Sequence, residues 1–243
     1  MASAGDTAAI RFQGSPRNLQ GLASVAFEEI APLGLPRLEL NAPPAEAGGE
    51  PFTLQIEGAG QFATWLRFSL PDPTPPGTYD GTVLIGKDRH PALVEVGDRV
   101  ALTVSPRRLT LRGAPGAELT TSITFVNVGN VAVEVPRVSK VGLLDIKGPE
   151  RAMGLALSDA ADEGEKRMEL FAQELARSHG GRLVLTVERG EGSLAPGEFR
   201  HLDVTLRLPA ELKAGRTYVG EWMLLNRSYS VEVLVDGGPA QGE

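Results

Sequence analysis

The most constraining feature of this sequence is a pattern that occurs twice. Residues 70–85 and 208–224 share, in the same order, a Leu-Pro pair, a spacer, a glycine, a tyrosine, one further residue, a second glycine and an apolar segment. The corresponding positions are Leu70, Pro71, Gly77, Tyr79 and Gly81 in the first copy and Leu208, Pro209, Gly215, Tyr218 and Gly220 in the second. The simplest interpretation is that the chain contains two copies of one module.

Each copy of the pattern follows a segment in which apolar and polar residues alternate. Residues 66–70 alternate in the first copy and residues 202–208 in the second, which is typical of a strand with one buried face. Because proline donates no hydrogen bond to a β ladder, it ends the strand. The glycine that follows allows a turn. Both copies therefore predict a strand, a turn and a second strand.

This arrangement resembles the tyrosine corner of immunoglobulin-like and fibronectin-like sandwiches, in which a tyrosine near the start of a strand hydrogen-bonds back to the preceding loop. The resemblance implies structural roles for Tyr79 and Tyr218, and we assign the same role to Gly81 and Gly220. It also implies an all-β fold class with two immunoglobulin-like β-sandwich domains in tandem. We expect the second domain to carry a partly helical insertion.

Length and composition agree with two sandwiches. A chain of 243 residues can hold two ordinary domains, and its 29 glycines and 18 prolines supply many turns. We place the boundary at Gly97–Asp98, giving domains 1–98 and 99–243, because a new strand begins at Val100. The absence of cysteine excludes disulfides, zinc-thiolate sites and cysteine nucleophiles. Each sandwich must therefore depend on its own apolar core.

The charge distribution argues against binding to nucleic acid. The formal net charge is -7, and residues 1–98 contain 6 basic and 12 acidic side chains. Such a module is a poor candidate for nucleic-acid binding, which depends on neutralising phosphates. No apolar run approaches the roughly 20 residues of a membrane span, and Met1–Ile10 lacks the basic start and apolar core of a signal peptide. We expect neither a nucleic-acid partner nor a membrane span.

The second module contains three turn motifs: Val-Ser-Pro-Arg-Arg-Leu at 104–109, Asn-Val-Gly-Asn at 127–130 and Leu-Ala-Pro-Gly-Glu at 194–198. With these motifs, residues 100–236 resemble bacterial immunoglobulin-like domains of the group that includes major-sperm-protein-like modules. They also resemble the amino-terminal domain of periplasmic pilus-assembly chaperones. The resemblance implies a fold, not an activity. It departs from the chaperone order, because the similar domain comes second here, and no position matches the basic pair with which those chaperones hold a subunit's carboxyl terminus.

An insertion of about 139–181 in the second module has no counterpart in the first. A helix is predicted within Asp159–Ser178, because apolar residues recur there at i, i+3 and i+7. These residues are Met168, Phe171 and Leu175. The stripe is narrow, so it is compatible with a helix that covers an open end of the sandwich and with one that binds a partner.

No pattern indicates catalysis. Residues 190–195 fit a loose dinucleotide fingerprint, but Pro196 and Gly197 follow and prevent a helix from starting there. The three histidines, His90, His179 and His201, show no metal-ligand spacing. We therefore predict a protein that is not an enzyme, with no catalytic residues, no cofactor and no metal site.

Trp65 and Arg67 are the best candidates for a partner contact in the first module. Alternation places both on the outward face of their strand, opposite Leu66. Tryptophan and arginine are the side chains most enriched at the centres of interfaces. The alternative is that Trp65 packs under a loop predicted over residues 42–51.

These observations favour a non-enzymatic structural or interaction protein of a bacterial envelope or surface assembly, in the periplasm or at the cell surface. The expected partner is another protein or a second copy of this chain. It would bind at an open sandwich edge, such as the first strand or Val231–Val235, or at the inserted helix. The first alternative is a periplasmic chaperone-like binder that lends a strand to an assembling subunit. The second is an accessory carbohydrate-binding module, for which only Trp65 qualifies as an exposed aromatic contact.

Overall fold

The computed structural model describes residues 9–30, 33–43, 50–59, 63–158, 164–225 and 227–237. Parts of the loop predicted over residues 42–51 and of the helix predicted from Asp159 lie outside the described residues. The chain divides into two compact units. Unit 1 contains residues 1–101, 127–133 and 195–198, and unit 2 contains residues 102–126, 134–194 and 199–243. The domain boundary at Gly97–Asp98 remains our proposal.

Unit 1 is built on one sheet of eight strands and a short helix, α1. The elements are β1 Ile10–Ser15, β2 Asn18–Ala23, α1 Phe27–Ile30, β3 Arg37–Leu40, β4 Phe52–Thr53, β5 Gln55–Ala59, β6 Thr64–Phe68, β7 Gly77–Ile85 and β8 Asp88–Val96. Their order in the sheet is β4-β3-β7-β8-β1-β2-β6-β5. Alternate residues face the core, where the rings of Phe12 and Phe68 meet edge to face with centroids 5.2 Å apart. The predicted inward set of Leu66, Phe68 and Leu70 is buried.

Unit 2 contains a second eight-stranded sheet, a two-stranded sheet and two helices. Its elements are β9 Leu102–Ser105, β10 Arg108–Gly113, β11 Glu118–Asn127, β12 Val133–Val135, β13 Val138–Asp145, α2 Gly148–Ser158, α3 Gly164–Ala176, β14 His179–Arg189, β15 Gly192–Leu194, β16 Phe199–Arg207, β17 Thr217–Leu224 and β18 Arg227–Val235. The large sheet has the order β10-β18-β17-β13-β14-β16-β11-β9, and β12 pairs with β15.

The two large sheets share one strand arrangement. The repeated pattern leads in each unit into an antiparallel pair, β7 with β8 and β17 with β18. In each unit an early strand then runs parallel to the last strand, β1 beside β8 and β10 beside β18. The predicted fold class is confirmed: the chain is all-β, with two immunoglobulin-like β-sandwiches and helices in the second.

Neither of the two strands named as candidate open edges lies at the edge of its sheet. Val231–Val235 belongs to β18, which is paired on one side by β17 and on the other by β10. The first strand, β1, is likewise enclosed by β8 and β2. Both strands lie inside their sheets because each forms a parallel pair on its second side, β1 with β8 and β18 with β10. Neither strand has a free side on which a strand of another chain could pair.

The helix predicted within Asp159–Ser178 is confirmed by α3, which spans Gly164–Ala176, but a second helix, α2, precedes it and was not predicted. The sequence did not reveal α2 because its buried positions include the small residues Ala152 and Ala156, which produce no conspicuous apolar stripe. The predicted insertion also includes most of β13, which pairs with β14 in the sheet.

Both tyrosines of the repeated pattern hydrogen-bond to the loop before them. The Tyr79 hydroxyl donates to the carbonyl of Pro75 at 2.8 Å, and the Tyr218 hydroxyl accepts from the backbone N–H of Lys213 at 3.1 Å. Two residues after each tyrosine, a glycine allows a neighbouring strand to approach closely. A Cβ at Gly81 would lie 2.5 Å from the carbonyl oxygen of Glu39, and a Cβ at Gly220 would lie 2.5 Å from that of Gly142.

We expect Gly220→Ala to lower the free energy of unfolding of unit 2 by about 2 kcal/mol, because the added methyl group must displace backbone of β13. Gly142→Ala is the matched control, since a Cβ at Gly142 would meet no heavy atom within 4 Å. Urea denaturation of both variants measures the difference. Equal stability of the two variants would contradict the close approach.

Candidate functional site

The outward side of β2, β5 and β6 carries the predicted contact residues of unit 1. Trp65 is 50% exposed, and its direct neighbour across the β2–β6 pair, Leu22, is 45% exposed. We call the set Gln20, Leu22, Glu57, Trp65 and Arg67 the Trp65 face. Two large apolar side chains thus lie together on an open sheet surface.

Strand alternation explains why Trp65 points outward. Thr64, Leu66 and Phe68 of β6 are buried, so Trp65 and Arg67 must lie on the other side of the sheet. On β5, the residue opposite Trp65 is Gly58, next to a bulge. Because Gly58 has no side chain, β5 leaves the indole uncovered.

A polar network borders the indole and fixes the position of Arg67. Glu57 accepts hydrogen bonds from the Gln20 amide nitrogen at 2.7 Å and from the Arg67 guanidinium. One strand pair further on, the Gln13 amide nitrogen donates to Glu95 at 2.8 Å. Since its charge is already paired, Arg67 loses less side-chain freedom when a ligand approaches.

Arg67 also lines a cleft of about 320 Å³ beside the Trp65 face. The other lining residues are Arg17, Phe52, Thr53, Gln55, Phe68 and Ser69. Arg17 forms an ion pair with Asp72, and this guanidinium, together with Arg99, lowers the pKa of the Asp72 carboxyl. The cleft is mostly polar and offers hydrogen-bond donors and acceptors next to an exposed aromatic ring.

The predicted contact residues of the insertion lie in unit 2, whereas Trp65 and Arg67 lie in unit 1. Met168 is 67% exposed on α3, whereas Phe171 and Leu175 are half-buried. The helix α3 packs against α2, which exposes Met153 and Leu157. Only Met168 of the three predicted residues is largely accessible.

A buried carboxylate, Asp145, lies at the base of the inserted helices and was not singled out from the sequence. It is 2% exposed and accepts hydrogen bonds from the Lys147 N–H at 3.0 Å, from Arg216 at 3.0 Å and from Arg151 of α2. Burial by itself raises the pKa of Asp145, but these three partners together lower it below the ordinary value. An acidic residue at an inward position, following Val141 and Leu143 in the alternation, was the available signal.

In the described ranges, no three His, Asp or Glu side chains are grouped so that they could hold a metal ion. Every helix in the described part of the chain is too short or too polar to cross a lipid bilayer.

No protein-family model matches this chain, and no curated protein matches it. Solved structures do align with it. A protein of unknown function from Porphyromonas gingivalis aligns over 95% of this chain and 98% of its own, with 13% identity and a TM-score of 0.29. Bovine butyrophilin aligns over 96% and 97%, with 10% identity and a TM-score of 0.33. The PapD-like domain of human CEP192 aligns over 57% and 87%, with 12% identity and a TM-score of 0.27. Similarity at this level carries no argument about function.

We expect Asp145→Asn to destabilise unit 2 by about 3 kcal/mol at neutral pH, because two arginines lose their shared anion. A lowered pKa means that the folded state gains stability above the ordinary carboxyl value of 3.8 and loses it as the pH falls through the lower folded value. The stability difference between the natural protein and the variant should therefore shrink in acid. Asp203→Asn, at an exposed carboxylate of β16, is the control. A difference that does not change with pH would contradict this assignment.

Proposed function

We propose that this chain is a non-enzymatic interaction protein of a bacterial envelope or surface assembly, in the periplasm or at the cell surface, and that it binds a protein partner through the Trp65 face. One observation carries the proposal: a half-exposed tryptophan lies beside an exposed leucine on an open sheet surface. The compartment is inferred from the resemblance to bacterial immunoglobulin-like domains.

The Trp65 face has the chemistry of an interface centre. A tryptophan buries a large area on binding and loses little side-chain entropy, and such residues supply much of the energy of protein interfaces. Arg67 is already held by Glu57, so it can contact a partner from a fixed position. Gln20 and Glu57 form a polar border that can exclude water from the contact.

Because β1 and β18 lie inside their sheets, we place the proposed partner contact on a sheet face and not at a sandwich edge. Among the described strands, β10 lies at one end of its sheet and directs Arg108 and Arg112 outward. These arginines pair with Glu232 and Asp236. Charged side chains on an edge strand disfavour the addition of another strand. The charged side chains of β10 therefore disfavour the chaperone-like alternative at this edge.

A photocrosslinking amino acid at position 65 tests the proposal in the source organism. We expect one protein to be crosslinked at position 65, either a different chain or a second copy of this one. The matched control places the same amino acid at Leu35, which is exposed and lies outside the Trp65 face. Identical products at both positions, or no protein product at position 65, would contradict the proposal.

We expect Trp65→Ala to weaken binding to the crosslinked partner about 30-fold, the equivalent of roughly 2 kcal/mol, without changing the melting temperature. Leu35→Ala should leave the affinity unchanged. Isothermal titration with the purified partner measures both variants. Full affinity of Trp65→Ala would exclude the indole from the interface.

The same surface favours carbohydrate binding as a second candidate function. Sugars stack on exposed aromatic rings and hydrogen-bond to amide, carboxylate and guanidinium groups, and Gln20, Glu57 and Arg67 supply these beside the indole. A glycan array probed with the natural protein and with Trp65→Ala decides between the candidates. Glycan binding that is lost in the variant supports the carbohydrate function and removes the need for a protein partner.

A further inference from the structure

We propose that unit 2 binds a tetrahedral oxyanion, phosphate or sulfate, at the base of the inserted helices. The site is a cleft of about 130 Å³ between α2, α3 and the segment that leads into β17. We call it the basic cleft, because four of its lining residues are cationic. They are Arg151, Arg177, Lys213 and Arg216.

A buried carboxylate fixes the positions of two of the four cations, Arg151 and Arg216. Asp145, which is almost completely buried, accepts hydrogen bonds from both Arg151 and Arg216. A guanidinium has five N–H donors, and the bond to Asp145 uses one donor of each arginine. Because both arginines also line the cleft, their other donors remain available to a ligand. The carboxylate therefore organises a pair of guanidinium groups before any anion binds.

The charge balance of the cleft favours a divalent anion. Glu174 pairs with Arg177, and Asp145 is shared by Arg151 and Arg216. Lys213 has no acidic partner among the described residues. Four positive and two negative side chains leave a net charge of +2. A phosphate group carries between about one and a half and two negative charges at neutral pH.

Size and direction also fit such a ligand. The cleft, with a volume of about 130 Å³, has room for one phosphate or sulfate group. Cationic side chains approach from α2, from the turn that follows α3 and from the segment before β17. Donors from three directions suit a tetrahedral group better than a planar carboxylate, which one guanidinium binds side by side.

Local packing shows that α2 is seated closely against the base of the cleft. A Cβ at Gly148, the first residue of α2, would lie 2.3 Å from the Cβ of Ser178. Ser178 is buried, and its carbonyl accepts a hydrogen bond from the Asp145 N–H at 2.9 Å. Only glycine at position 148 allows α2 to begin so close to Ser178, which brings Arg151 within reach of Asp145.

Isothermal titration of the full chain with inorganic phosphate in a chloride buffer tests the site. The double variant Lys213→Gln/Arg177→Gln removes two cations and leaves the bonds of Asp145 intact. We expect its dissociation constant for phosphate to rise at least about tenfold, since each lost charge-assisted hydrogen bond has an effect of this size. The matched control, Lys140→Gln/Arg182→Gln, removes two exposed charges of β13 and β14 and should bind phosphate like the natural protein.

Thermal denaturation provides a second readout. At a given concentration, phosphate should raise the melting temperature of the natural protein and of the control more than that of the cleft variant. Sulfate should behave like phosphate. Glucose 6-phosphate distinguishes the sources of the group: tighter binding than phosphate indicates a phosphoryl group on a larger molecule, and weaker binding indicates the free ion. Equal affinity of both double variants, acetate binding as tight as phosphate binding, or no saturable phosphate binding would overturn the proposal.

Discussion

The structure depends on the close approach of strands at the two repeated corners. At Gly81 and Gly220, the backbone of an adjacent strand occupies the space where a side chain would begin. The nearby tyrosines, Tyr79 and Tyr218, bond to the loops that precede them. These contacts fix the strand that follows each corner, and that strand pairs with the last strand of its unit. Without cysteine, such packing replaces covalent links as the means of fixing each sandwich.

Parallel pairing of an early strand with the last strand determines which surfaces remain for binding. Since β8 and β18 are enclosed on both sides, their backbone groups are not open to another chain. We propose that recognition uses side chains on a sheet face and beside the inserted helices instead. The Trp65 face and the basic cleft are two such surfaces, one apolar with a polar border and the other cationic.

Sequence patterns predicted the direction of side chains in strands, which strand periodicity controls. They did not predict which strands are enclosed, because enclosure depends on pairing between distant segments. Alternation correctly placed Trp65 and Arg67 on the outward face, because side-chain direction in a strand is a local property. The enclosure of Val231–Val235 depends on β10, which lies more than a hundred residues earlier, and no local pattern contains it. Likewise, α2 could not be predicted from an apolar stripe because it buries alanines. The role of Asp145 depends on Arg151 and Arg216, of which the fold brings Arg216 from a distant part of the sequence.

The two tryptophans of the chain allow a direct test of the central claim, that the Trp65 face is covered by a partner in the native assembly. Trp65 is half exposed, whereas Trp222 is buried in the core of unit 2. Hydroxyl-radical footprinting of the isolated chain should oxidise Trp65 and spare Trp222. In the assembly recovered from the source organism, both should be protected. Equal oxidation of Trp65 in the isolated chain and in the assembly would contradict the account.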